Sequence, residues 1–293
     1  MAKGGDAPNR VIFGQATKLS RTMHDIRYSA KRDEIYVTNP FAQAILAFRG
    51  SATGEEPPVR VIQGPKTMLG SEDTLEIDDV NGEILIPGRD QVLAFPIDGN
   101  GDVAPLRVVR GAKEGWRTGG GIAVDPIHNV LVTDGMLMSP RRAEGGAEAM
   151  RGGRGENARA GRGGDSESDY NDSRNSILIF DRLANGDAKP LRTIRGPHTG
   201  IKAIRQMALY PNNGYILIAQ ITNGGIPEPE GTFIGVWSIN DNGDVPPRWK
   251  IDGKPSNIMK KPRGITYSAK NKEVIVSDMR LNAVLTFYFP EIF

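Results

Sequence analysis

No cysteine occurs among the 293 residues, which excludes disulfides, thiolate chemistry and zinc–cysteine sites. Histidine is almost as scarce. His24, His128 and His198 fall at different points of the chain's pattern, and there is no His-x-x-His or Glu-x-x-His spacing for a metal. No run approaches the roughly 18 apolar residues of a membrane-spanning helix. Neither charge sign is in excess: 37 basic against 35 acidic residues leave a net charge of +2, so nothing in the whole-chain charge argues for nucleic acid. Met1-Ala-Lys-Gly-Gly-Asp6 lacks the apolar segment of a secretory signal. That fits a cytoplasmic protein if the sequence is complete, or a periplasmic or extracellular one if Met1 replaces a removed signal.

What is present is a repeat. Arg-x-x-x-Gly recurs as Arg10-Val-Ile-Phe-Gly14, Arg60-Val-Ile-Gln-Gly64, Arg107-Val-Val-Arg-Gly111 and Arg192-Thr-Ile-Arg-Gly196, and with one extra residue as Arg248-Trp-Lys-Ile-Asp-Gly253. Self-similarity at this period indicates a propeller, solenoid or array. Between the copies lie short β-rich runs such as Glu34-Ile-Tyr-Val-Thr38 and Ala44-Ile-Leu-Ala-Phe48. They are separated by Asn-, Gly- and Asp-rich turns such as Asp98-Gly-Asn-Gly-Asp102 and Asn240-Asp-Asn-Gly-Asp244, whose residues tolerate positive φ. The pattern predicts an all-β single domain over residues 1–293: a five-bladed β-propeller of four-stranded blades. The chain ends after a third strand, so the N-terminal Arg strand is expected to complete the last blade and close the ring.

Five residues beyond each repeat glycine stand Leu19, Leu69, Trp116, Ile201 and Ile258, an apolar register expected to pack between blades. That register favours a structural Trp116 over a base-stacking or sugar-binding one. Residues 139–174 interrupt the third repeat with a Gly/Arg-rich stretch too poor in apolar residues to bury a core of its own.

The pair Gly121-Ile-Ala-Val-Asp125 and Asn129-Val-Leu-Val-Thr-Asp134, and the pair Gly264-Ile-Thr-Tyr-Ser268 and Val274-Ile-Val-Ser-Asp278, resemble the core of the NHL repeat. Over about residues 10–290 the chain resembles an uncharacterised bacterial NHL-like β-propeller. The resemblance implies a protein- or RNA-binding platform, related propellers being metal-dependent lactonases or lyases. It transfers no functional residue.

The connections after the fourth and second strands carry Lys18, Arg21, Lys66, Lys113, Arg117, Lys202, Arg205, Lys254, Lys260, Lys261 and Arg263. The other connections carry Glu55, Glu56, Asp98, Asp102, Asp187, Asp241, Asp244 and further acids, so a basic and an acidic face are expected. The expected function is a non-catalytic protein-binding platform or accessory subunit. Its binding residues would be Lys66, Lys113, Arg117, Lys202, Lys260 and Lys261, with Arg151 and Arg154 of the insertion. One alternative is a hydrolase or lyase with an axial, metal-assisted site; its candidates are His24, Asp25, Asp73, Arg205 and Arg263, joined by Asn39, Asp134 and Asp278. The other is RNA binding through the basic face. No cofactor and no resident metal are expected, and no small-molecule ligand is identified. The Asn-Gly-Asp turns lack the length and distal Glu of a calcium loop and are read as hairpin turns. The apolar C-terminal Tyr288-Phe-Phe-Pro-Glu-Ile-Phe293 is read as packing on the closing blade, with docking into a partner as the alternative.

Overall fold

The computed structural model describes residues 7–21, 23–88, 90–111, 113–137, 175–221, 229–256 and 258–293. The insertion at 139–174, with Arg151 and Arg154, lies outside the described residues. The architecture is all-β, the five small sheets of a five-bladed β-propeller, and the described helices are single turns. None is long and apolar enough to cross a membrane.

The chain packs as two compact units. The first comprises Met1–Gly88 and Val92–Val108. Its first sheet runs β1 (Ile26–Ser29), β2 (Glu34–Asn39), β3 (Ala44–Arg49) and β4 (Arg60–Gln63), antiparallel and in sequence order. The second sheet follows the same order through β5 (Glu76–Asp78), β6 (Glu83–Pro87), β7 (Gln91–Pro96) and β8 (Arg107–Arg110). The second unit comprises Arg89–Gln91 and Val109–Phe293. It holds β9 (Trp116–Asp125), β10 (Val130–Leu137), β11 (Asn175–Asp181), the two-residue β12 (Gly186–Asp187) and β13 (Arg192–Ile194). Then come β14 (Ile204–Tyr210), β15 (Tyr215–Gln220), β16 (Phe233–Ser238) and β17 (Trp249–Asp252), and finally β18 (Pro262–Ser268), β19 (Glu273–Asp278) and β20 (Ala283–Tyr288).

Sheets packed on both faces need apolar side chains on both, so the middle strands read as continuous runs rather than alternations. Residues 44–48 of β3 and all of β16 are buried. In the first unit Tyr36, Ile45, Ala47 and Ile62 pack against Leu75, Ile84, Ile86 and Leu93 of the neighbouring sheet. Fully burying one such aliphatic side chain contributes about 1.5–3 kcal/mol. In the second unit Trp116 is wholly buried, its ring centroid 4.9 Å from that of Phe180 and its Nε1–H bonded to the Ala188 carbonyl. The structural reading of Trp116 is therefore what the fold shows.

The repeat glycines do two jobs. In the turn before each fourth strand, Gly54, Gly101, Gly186 and Gly243 adopt φ of +65°, +77°, +69° and +79°. Each lies in parallel register beside the Arg strand of the preceding repeat: Ile12 with Gly54, Ile62 with Gly101, Val109 with Gly186, and Ile194 with Gly243. At Gly101 the clip is two hydrogen bonds, Gly101 N–H to Val61 C=O and Gln63 N–H to Gly101 C=O. The acid that follows then reaches the turn beyond that strand. Asp102 accepts the Lys66 N–H at 2.7 Å, and Asp244 accepts the His198 N–H at 2.8 Å. This close approach leaves no room for a Cβ at Gly64 or Gly196, both at φ +138°; one built there would lie 2.5 Å from Asp102 Cγ or 2.1 Å from Asp244 Cγ.

The repeat arginines tie the fourth strand down. Arg60 forks onto Glu34 across two strands, and Arg107 does the same to Glu83. Arg192 donates to the Ile239 carbonyl, and Arg248 to Asp241.

One expectation differs from the structure. Ile258 is 54% exposed, and Met259 is the buried residue instead. The three-residue turns at Gln15–Thr17, Pro65–Thr67 and Pro197–Thr199 are replaced here by the four-residue helical turn Gly253–Ser256, which advances the register by one. Among the described residues the last sheet is β18–β19–β20, and in the first unit the N-terminal segment is bonded to the Gly54 turn, as β4 is to Gly101. The apolar C-terminus packs, with Phe289 and Ile292 buried and Phe293 edge-on to Tyr210.

These geometries predict a graded response to alanine. Gly64→Ala meets both a strained φ and the Asp102 side chain and should cost about 2–4 kcal/mol, whereas Gly101→Ala meets open space and should cost about 1–2 kcal/mol. Urea unfolding of the two variants reads the difference; equal losses would contradict the clip geometry.

Candidate functional site

Aligning the second strands by their pairing with the first places His24, Asp73, Gly120, Arg205 and Arg263 at one repeat position, at or just before the start of the innermost strand. In the second unit this is a bulge position. The β14–β15 register shifts between Ile204 and Gln206, and the β18–β19 register shifts between Pro262 and Gly264. A bulge re-aims one side chain out of the ladder. Arg205 and Arg263 are those residues, at the same end of neighbouring inner strands. The two strands are tied there by the Gln206 side chain, which accepts the Ile265 N–H at 2.9 Å. Gln206 carries no local sequence signal for this role.

Asp134 is buried in the middle of β10, within reach of the Arg205 charge. Its Oδ1 accepts the N–H groups of Gly121 at 2.6 Å and Gly119 at 3.1 Å. Burial pushes its carboxyl up to about 7, opposed by those two bonds and by the Arg205 charge. A Cβ at Gly119 would lie 2.1 Å from the carboxylate, which explains the glycine run at this bulge.

The other polar residues closing the second strands are similarly committed. Asp278 Oδ2 accepts the N–H groups of Lys260 and Lys261, and its Oδ1 those of Arg280 and Leu281. Gln220 accepts from Lys202 N–H and donates to the Gly200 and Gly231 carbonyls. In the first unit Asn39 donates to the Lys18 carbonyl. These side chains hold incoming loops to their blades, and their hydrogen-bonding capacity is spent on backbone.

In the first unit His24 Nδ1 stands 3.5 Å from Asp73 Oδ1, both side chains about half exposed. Asp25, by contrast, is buried. Its Oδ1 pairs with Arg27 at 2.6 Å, its Oδ2 accepts the Leu75 N–H, and Arg27 continues to Glu76. Desolvation raises the carboxyls of Asp25 and Glu76, with Arg27 opposing it in both. Asp25 is thus part of a structural ion network. A cleft between Thr38, Asn39, Leu69 and Glu72 encloses about 10 Å³, room for about one water and far below the roughly 300 Å³ of an ordinary ligand pocket. Among the described residues no group of three or more His, Asp or Glu side chains could hold a metal ion.

The expected separation of charge is weaker than the sequence suggested. The acids of the turns before the fourth strand fold back along the preceding strand and meet the basic connections: Asp187 pairs with Lys113 at 2.7 Å, and Asp244 with His198 at 2.6 Å. The carboxyl of Asp244 sits below its ordinary range, because a desolvation effect that would raise it is outweighed by hydrogen bonds from His198. Lys254 pairs with Glu230 at 3.2 Å. Lys66 and Lys202 are exposed, Lys260 and Lys261 are half-buried above Asp278, and Arg117 is half-buried on β9 opposite Met136.

The sequence matches no protein-family model and no curated protein. Among solved structures, one described as a nidogen/laminin complex matches with a TM-score of 0.51 and 11% identity, over 91% of this chain and 80% of the matched chain. At that identity the likeness is one of fold.

Asp134 gives this site a measurable signature. Its carboxyl titrates near 3.8 when unfolded and near 7 when folded, so between those values the folded state holds the extra proton. Its contribution to stability therefore falls as pH rises through that window. Asp134→Asn keeps an acceptor oxygen and should flatten the slope. Urea midpoints of variant and wild type should separate by about pH 7.5 relative to about pH 4.5, in the variant's favour; separation in the wild type's favour would contradict the burial.

Proposed function

We propose that this chain is an NHL-repeat-like propeller of bacterial type that works as a non-catalytic binding platform, an accessory subunit engaging an acidic segment of a protein partner. The observation carrying this reading is the pair of arginines, Arg205 and Arg263, raised on equivalent bulges of neighbouring inner strands. The loops leading into those strands add Lys202, Lys260 and Lys261. Arginine presents a planar fork suited to carboxylates, and further cations beside it, the exposed Lys202 and the half-buried Lys260 and Lys261, steer an acidic ligand inward.

Acid–base catalysis has less support. Asp134 and Asp278 in the second unit, and Asp25 in the first, accept backbone N–H groups or ion pairs rather than facing a substrate-sized space. The hydrolase reading retains only the His24–Asp73 contact. In the binding reading Lys66, Lys113 and Arg117 are peripheral. The insertion at 139–174, with Arg151 and Arg154, is a second point of partner contact.

The test is fluorescence anisotropy of a labelled Asp/Glu-rich peptide against the wild type and against Arg205→Glu/Arg263→Glu. Saturable binding by the wild type, weakened about tenfold or more by the double reversal, is expected for two lost charge-assisted contacts. Binding of single-stranded RNA but not of the peptide would replace this reading with the RNA one. Binding of neither would refute both.

A further inference from the structure

Three of the clip turns carry asparagine directly before their glycine: Asn100-Gly101, Asn185-Gly186 and Asn242-Gly243, against Thr53-Gly54. In an Asn-Gly pair the side-chain amide carbon is open to attack by the next main-chain nitrogen, because glycine has no side chain to shield that nitrogen. The turns that build the clip therefore carry a reactive pair.

In two of them both reacting groups are engaged by a single residue of the neighbouring strand. Val61 N–H donates to Asn100 Oδ1 at 3.0 Å, and Val61 C=O accepts the Gly101 N–H at 2.7 Å. Thr193 repeats this in the second unit, its N–H donating to Asn242 Oδ1 at 2.9 Å and its C=O accepting the Gly243 N–H at 2.7 Å. Each set of contacts lies inside one compact unit. Attack requires the glycine nitrogen to lose its proton and turn toward the asparagine Cγ. A nitrogen whose proton is bonded to the strand meets neither condition. The asparagine side chain, for its part, is fixed on the strand rather than folded over its own main chain.

Two further Asn-Gly pairs are closed differently. Gly82 N–H bonds to the Asp78 carbonyl, and Asn81 Nδ2 donates to Asp78 Oδ2. Gly214 N–H bonds to the Pro211 carbonyl, and Asn213 donates to the Ile292 carbonyl. Their glycine nitrogens are held within their own turns, not by the strand of another repeat.

We propose that Asn100 and Asn242 are self-modification sites which the clip holds unreacted, and that opening of a clip commits its asparagine to conversion into isoaspartate or aspartate. The glycine nitrogen gives its proton to hydroxide and attacks Cγ. The Cγ–Nδ2 bond breaks, ammonia leaves with a proton from water, and a cyclic imide forms. Water then opens the imide at either carbonyl, so the net change is amide and water to acid and ammonia, with no oxidation. Isoaspartate carries the chain through one additional main-chain atom. It removes the acceptor of the Val61 or Thr193 N–H and displaces the glycine from its register beside Ile62 or Ile194. A clip that has reacted in this way cannot close as before, so the modification is an irreversible record of its opening.

The test follows the folded chain at mildly alkaline pH, using peptide mapping by mass spectrometry with chromatographic separation of the two acids. In the wild type, Asn100 and Asn242 should convert at least about tenfold more slowly than in the same chain held in denaturing urea. Removing the carboxylate that braces one clip should then act on that clip alone. Asp102→Ala frees the Lys66 N–H and should speed conversion at Asn100 about tenfold, leaving Asn242 unchanged. Asp244→Ala frees the His198 N–H and should do the reverse. Rates of both variants in urea correct for the altered neighbour, and Asn81 and Asn213 report whether the fold persists. Equal rates in folded and unfolded wild type would overturn the proposal. So would a variant with Asn81 and Asn213 as slow as in the wild type and no acceleration at its own clip. The isoaspartate fraction at Asn100 should also exchange the Gln63 amide, which bonds the Gly101 carbonyl, faster than the unmodified chain. Retained protection there would contradict the loss of the clip.

Discussion

The interaction on which the rest depends is the clip between the Arg-x-x-x-Gly strand and the glycine turn of the following repeat. A small sheet is marginal alone, because its outer strand presents unpaired N–H and C=O groups and its apolar faces need neighbours. The clip answers the first need, giving the outer strand a second edge partner at Gly54, Gly101, Gly186 or Gly243. It also answers the second, since the acid directly after the turn glycine caps the turn that leads into the next blade. One short motif thus fixes strand edge, turn and blade succession together. That is why glycine recurs at two places in each repeat for two different reasons, a left-handed φ and a close approach.

The same economy shapes the functional end of the strands. Buried carboxylates and amides at the ends of the second strands hold loops, which leaves the residues at the start of the inner strands to meet a ligand. Where those starts bulge, in the second unit, the residue turned out is arginine twice. In the first unit the corresponding residues are His24 and Asp73, in contact with each other. The chemistry offered to a partner is therefore set at one repeat position, on a scaffold whose other polar residues are already engaged.

Much of this was legible in the sequence, because a repeat exposes its rules by comparison with itself. Strand order, the turn chemistry, the structural role of Trp116 and the candidate mouth residues all follow from register. What register could not give was the path of the turn before the fourth strand. Its Asn-Gly-Asp signal marks a hairpin but not the fold-back along a neighbouring blade, so Asp102, Asp187 and Asp244 were read as a separate acidic face. The one-residue shift to Met259 was equally hidden, since a helical turn and a tighter turn differ by a single residue that composition does not resolve. Asp134 looked like a mouth residue, and only its bonds to Gly119 and Gly121 show it turned inward.

The most direct measurement of the clip is native-state hydrogen exchange at the four turn glycines. Their amides sit in surface turns, which ordinarily exchange fast. The clip predicts slow exchange at the Gly54, Gly101 and Gly243 amides, comparable to the strands they bond, because each donates to a carbonyl of the preceding repeat's strand. The Gly186 site should be protected with the β8 residues beside it. Exchange at these sites as fast as in unbonded surface loops would contradict the account.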